Sequence, residues 1–203
     1  RIRCIPPKGI TPLRNTSYGG NGVMWRGISS GRQVRGNYVL KASTAHNQAA
    51  LERYVHNPKV RAFLDFIASE GVKHGYQTAI GNYRITDFSR HPGNSVRRSF
   101  TRTDGSRSTS DASGRYQFMG YTWKGLAKQY GFTDFSPATQ DKAAVALILA
   151  KKGAMEAILN GNYEQAVMKL GGIWASFPTA PNEYRQHKRS WGFVHNFFRQ
   201  RGF

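Results

Sequence analysis

Cysteine is almost absent: Cys4 is the only one in 203 residues. No internal disulfide, Cys-rich zinc site or Cys-pair redox motif can be built from it. Acidic residues are scarce as well. Eleven Asp and Glu stand against 30 Lys and Arg, a net charge of +19. Such a surface is drawn to polyanions, among them nucleic acid, anionic lipid and anionic envelope polymers, and charge alone does not choose among these. No apolar run approaches the roughly 18 residues that a membrane span needs, so no membrane span is expected. The opening RIRCIPPKG is basic without an apolar core and is not expected to be a signal peptide. The six histidines are scattered, with no HExxH or other tight ligand pair. No metal or cofactor is expected, and His91 in RHPG reads as a loop residue.

What is present suffices for a packed core. The chain is 39% hydrophobic and 13% aromatic, which excludes global disorder and fits one domain with an appendage. Residues 1–43 are rich in Gly, Arg, Ser, Asn and Pro and suggest loops with a short strand or two. Up to residue 60 there are ten Lys and Arg and one acid. Residues 1–50 are therefore expected to form a basic Gly/Arg-rich extension or flank to a main domain at 51–203.

From Thr44 the pattern becomes helical. Asn57-Pro58 supplies an N-cap and a first-turn proline. Val60, Phe63, Leu64 and Ile67 then follow at helical spacing toward Glu70 and the helix-stopping Gly71. YQTAIGNYRITDF, residues 76–88, carries two short alternating runs around Gly81-Asn82, which predicts a hairpin. A long polar stretch between Asp87 and Tyr116 reads as a functional or disordered loop. The remainder reads as helices: one ending at Gly131, one opening at Ser136-Pro137, two short ones, and a last one with Trp191, Val194, Phe197 and Phe198. The expected class is mainly α with a small β-hairpin, an α+β chain.

Glu70 is the chemical candidate. A carboxyl set against the apolar wall one turn back loses solvation and keeps its proton to higher pH, as a general acid at a glycosidic oxygen requires. A glutamate pointing to solvent at a helix end is the ordinary alternative.

Several separate segments bear on that choice. FLDFIASEG, TDFSRHP, SGRYQFM, FTDFSPATQD, GAMEAI and IWASFP together, in this order, resemble the phage lambda lysozyme family of lytic transglycosylases over about residues 60–200. The resemblance implies a lysozyme-like fold and cleavage of peptidoglycan glycan strands. It places the family glutamate at Glu70. That group would protonate the oxygen between N-acetylmuramic acid and N-acetylglucosamine. It would then act as base on the muramyl 6-hydroxyl, which closes on C1 to a 1,6-anhydro product. Ser69, Tyr76, Tyr116, Gln117, Trp174 and Ser176 are the candidate substrate-binding residues. Gln117 has an amide that can both donate to and accept from sugar groups. The indole of Trp174 is assigned first to the core.

The chain departs from the pattern at Gly75-Tyr76-Gln77, where the phage lambda member carries an aspartate after the tyrosine. Gln cannot serve as nucleophile or base, which weakens a two-carboxylate hydrolase. Ring closure needs one positioned acid/base, because the attacking hydroxyl is already on the substrate. Two alternatives stay open: a hydrolytic muramidase using Asp87, Asp104 or Asp111 as second carboxylate, and a non-enzymatic polyanion binder using RRSFTRTDGSRS and the basic N-terminus. The expected partners are glycan strands and anionic envelope polymers, with no specific nucleic acid. A monomer acting in the bacterial periplasm or cell wall is expected.

Overall fold

In a computed structural model, the described residues are 12–14, 23–25, 44–69, 75–182 and 188–203. Strands β1 (Pro12–Arg14) and β2 (Val23–Trp25) pair antiparallel. Helix α1 (Thr44–Val55) crosses the expected boundary at residue 50 and buries Leu51 and Val55 one turn apart. Helix α2 (Pro58–Ala68) starts as its sequence dictates: the Asn57 side chain accepts from the Lys59 and Val60 amides at 3.0 and 3.3 Å. Val60, Phe63, Leu64, Phe66 and Ile67 then turn inward. Ser69 is its C-cap.

The predicted hairpin forms. Strand β3 (Thr78–Ala79) pairs with β4 (Tyr83–Arg84), with Ala79 opposite Tyr83. The connecting Gly81 and Asn82 both have positive φ, 74° and 61°, the backbone that a Gly-Asn turn supplies at low cost. It is not the only hairpin. Strand β5 (Arg98–Thr101) pairs with β6 (Arg107–Ser110) inside the stretch read as a long polar loop. Its turn is held by Asp104, which accepts from the Ser106 amide and hydroxyl at 2.9 and 2.6 Å. The loop reading of that stretch is thus corrected to a hairpin, and the described residues hold three two-stranded sheets.

Helix α3 (Gly120–Tyr130) ends at Gly131 in the left-handed region. Helix α4 (Pro137–Leu149) opens on the Ser136 cap. Ala143 to Ile148 are all buried, so α4 runs through the middle of the helical core, touching α1, α2, α3 and α5 (Ala154–Leu159). Helices α6 (Tyr163–Leu170) and α7 (Trp191–Arg199) complete it. Phe63 and Phe66 of α2 meet Phe177 and Phe198 with ring centroids 4.8 to 6.3 Å apart. A second aromatic group, Phe118, Trp123 and Phe135, lies under α3. None of the described helices is long and apolar enough to cross a membrane.

The SGRYQ turn, residues 113–117, is seated on α4. The Gln140 side chain accepts from the Arg115 amide at 2.9 Å and donates to the carbonyls of Tyr76 and Phe135 at 3.1 and 2.9 Å. Gly114 has φ +81°, and a Cβ there would lie 2.3 Å from Gln140 Oε1 and 2.9 Å from Phe135. This explains why SGRYQ and SPATQD occur together: one segment is built against the other. Gly114→Ala combines a strained backbone with an overlap and is expected to cost about 3 kcal/mol. Urea unfolding of the variant checks this; a loss under about 1 kcal/mol would contradict it.

Candidate active site

The carboxylate of Asp141 on α4 is buried and collects three donors. Arg61 of α2 reaches it at 2.7 Å, Tyr116 at 2.5 Å, and Tyr76 meets both oxygens at 3.0 and 3.1 Å. Arg115 joins the circuit, donating to the Tyr116 hydroxyl at 2.7 Å and to Asp65 of α2 at 2.6 Å. Burial first, then the Asp141 charge, pushes the Tyr116 phenol well above its ordinary pKa. The same two causes raise Tyr76. Both phenols therefore stay neutral and act as donors. Burial works against the Arg115 charge, yet Tyr116 and Asp65 raise its pKa above the ordinary arginine value. Helix α2, the SGRYQ turn and α4 are thereby joined by one polar network.

At the C-terminus of α2, Phe66 and Ile67 are wholly buried. The Ser69 amide and hydroxyl both donate to the Phe66 carbonyl, at 3.1 and 2.7 Å. Glu70 and Gly71 follow directly in the chain and lie outside the described residues.

Five of the six candidate substrate-binding residues fall into two groups. Tyr76 and Tyr116 come together on Asp141, and Trp174 joins them by donating to the Tyr116 carbonyl at 3.3 Å. Ser176 and the α2 end that Ser69 caps are connected through Arg189. The Arg189 amide donates to the Ser176 carbonyl at 2.8 Å, and its guanidinium reaches the end of α2. Ser69 and Tyr76 are half-buried. Tyr116, Trp174 and Ser176 have no exposed surface, and Gln117 has 2%. Three of these four spend polar groups on internal partners: the Tyr116 hydroxyl on Asp141, the Gln117 amide on Thr78 and Gly114, and the Trp174 indole N–H on the Tyr116 carbonyl. Gln117 adopts φ +53° and donates to the carbonyls of Thr78 and Gly114 at 3.1 and 2.9 Å. Its amide pins the turn to β3. The assignment of the Trp174 indole to the core agrees with its burial.

The three acids considered as a second carboxylate are each engaged. Asp87 is exposed and accepts from the Ser89 amide at 2.8 Å. Asp104 closes the β5–β6 turn. Asp111 is buried, accepts from the Gly120 amide at 2.9 Å and lies 3.8 Å from Arg97. It so occupies the N-terminus of α3, where a negative charge is favourable.

Sequence reasoning passed over three residues of this region. Asp141 and Gln140 lay inside the SPATQD motif with no role assigned. Arg189 carried no signal, since one more arginine in a basic segment looks like solvated surface.

Comparisons with known proteins match most of the same chain. The family model described as Endolysin matches residues 61–203. The endolysin of Escherichia phage lambda is 37% identical over 141 residues, 65% of this chain and 85% of that protein. The endolysin of Escherichia phage P2 is 38% identical over 143 residues, 63% and 84% respectively. Among solved structures, bacteriophage lambda lysozyme complexed with a chitohexasaccharide has a TM-score of 0.61 at 34% identity. It covers 72% of this chain and 95% of the other. The lysozyme-like fold follows.

His91 carries a pH dependence. Gly93 N–H donates to its Nδ1 at 2.9 Å, so Nε2 bears the proton and donates to the Phe118 carbonyl at 2.7 Å. Burial lowers its pKa below the ordinary histidine value, outweighing the Phe118 carbonyl and Asp111, which raise it. Protonation would also remove the acceptor for Gly93. The unfolded chain takes up a proton near pH 6.5 that the folded chain resists, so stability falls as pH drops below about 6.5. Urea unfolding at pH 7.5 and 5.5 is expected to show a smaller acid loss in His91→Gln than in the wild type. Equal losses would refute this origin.

Proposed function

Given that the chain belongs to the endolysin family, and so to lysozyme-like enzymes that degrade peptidoglycan, we propose that it works as a lytic transglycosylase with Glu70 as its single acid and base. Glu70 donates its proton to the oxygen joining N-acetylmuramic acid to N-acetylglucosamine, and the bond from that oxygen to C1 breaks. The resulting carboxylate takes the proton of the muramyl 6-hydroxyl as that oxygen bonds to C1. The product ends in a 1,6-anhydro ring, Glu70 is protonated again, and no water is consumed.

The observation that carries this reading is the engagement of the other acids. Asp87, Asp104 and Asp111 each hold a turn or a helix end, and residue 77 is Gln. A second carboxylate poised for hydrolysis therefore has no evident candidate among them, while an internal nucleophile needs none. Ser69 and Tyr76, half-buried, are proposed to meet the glycan directly. Tyr116, Gln117, Trp174 and Ser176 support the wall behind them.

Glu70→Gln is expected to lower the rate of sacculus digestion by about 10²- to 10⁴-fold. Mass spectrometry of wild-type products is expected to find anhydro ends. Reducing ends alone would assign the enzyme to hydrolysis and sink the ring-closure mechanism.

The net charge adds attraction to the wall. Arg84, Arg90, Arg97, Arg98 and Arg107 are exposed around the two hairpins, with Asp87 and Asp104 as nearby acids. The basic residues 1–50 are proposed to extend this attraction to anionic polymers in the periplasm or cell wall. Binding of the enzyme to sacculi should weaken steeply from 0.01 to 1 M salt, as the Debye length shrinks from about 30 to 3 Å. Salt-independent binding would refute it.

A further inference from the structure

Arg189 is 4% exposed. Its Nη1 donates to the Phe66 carbonyl, and its Nη2 donates to the Ile67 carbonyl at 3.0 Å. The guanidinium carbon lies 4.5 Å from the centroid of the Phe66 ring and 5.9 Å from those of Phe177 and Phe193. A buried cation thus grips two successive carbonyls in the last turn of α2, with its plane against the aromatic cluster.

Ending a helix does not require this. Ser69 already supplies its amide and hydroxyl to the Phe66 carbonyl. Taking a guanidinium out of water is costly, and the negative end of a helix with two hydrogen bonds is the setting that offsets it. Two bonds from one rigid planar group to two successive carbonyls fix both the rotation and the axial position of the helix end. One bond would fix neither. The backbone of Arg189 is itself tied to Ser176, so the IWASFP segment and the end of α2 share one anchor.

We propose that Arg189 is a positioning residue for Glu70. Its fork on Phe66 and Ile67 sets the end of α2, which the acid follows two residues later in the sequence. This rests on the reading of Glu70 as general acid. On the far side, Arg61 and Asp65 bind α2 to Asp141 and Arg115. The helix is then clamped at its start, middle and end. A displacement of about 1 Å at a catalytic group can cost about 10² in rate.

The test uses Arg189→Met, Arg189→Lys and Glu70→Gln in the full chain. Steady-state kinetics on soluble peptidoglycan strands are measured alongside thermal melting and the folded fraction. Arg189→Met is expected to lower kcat about 100-fold per folded molecule with KM within about threefold. Arg189→Lys, which can bond one carbonyl at a time, is expected to recover only part of that loss. A folded Arg189→Met with wild-type kcat, or a loss that follows the folded fraction alone, overturns the proposal. If Arg189→Met does not fold, Arg189→Lys decides: wild-type kcat overturns the positioning role. An active Glu70→Gln would instead overturn the assignment of the acid, whatever the Arg189 variants do. An inactive Glu70→Gln beside a fully active Arg189→Met would overturn the positioning role alone.

Discussion

A single carboxylate, that of Asp141, determines how the parts of this molecule sit on one another. It is buried, so it must be compensated, and the compensation comes from three places distant in sequence: Arg61 on α2, Tyr76 before β3, and Tyr116 in the SGRYQ turn. Removing any one donor leaves a buried charge less well compensated, which costs more than losing a surface pair. Helix, hairpin and turn are therefore held in one arrangement by the demand of one ion. Apolar packing brings them close, and the ion decides their register.

That arrangement divides labour between rigid and reactive parts. The motifs that carry the resemblance look at first like a string of glycan contacts. Most of their side chains point inward. Gln140 holds the backbone of the turn, Gln117 pins that turn to β3, and Trp174 spends its indole N–H on the Tyr116 carbonyl. A glycosidase with one acid gains from such a frame, because a carboxyl that must serve first as donor and then as acceptor works only if it stays put relative to the sugar.

The sequence made the helical frame legible because its punctuation is strong. Asn57-Pro58 and Ser136-Pro137 start α2 and α4, Gly131 stops α3, and Gly81-Asn82 turns the first hairpin. The β5–β6 hairpin was not legible by periodicity, since RSFT and RSTS carry polar residues on both faces. Asp104-Gly105 was the available clue, and it lay within a run that reads as a loop. The identity of the motif residues was readable, but their burial was not, because nothing in SGRYQ or IWASFP tells which side chains face inward. The same holds for Arg189, whose neighbours Lys188 and Ser190 suggest solvent. Glu70 was singled out from its helix and its motif, and it lies outside the described residues.

The polar hairpin has a further consequence. Among the described residues β5 and β6 pair only with each other, in a two-stranded sheet. Exposed edges invite pairing with another chain, and here Arg98 and Arg107 stand in the way as like charges. That guard is only electrostatic. A dense polyanion that neutralises the arginines would remove the repulsion and concentrate the protein in the same event.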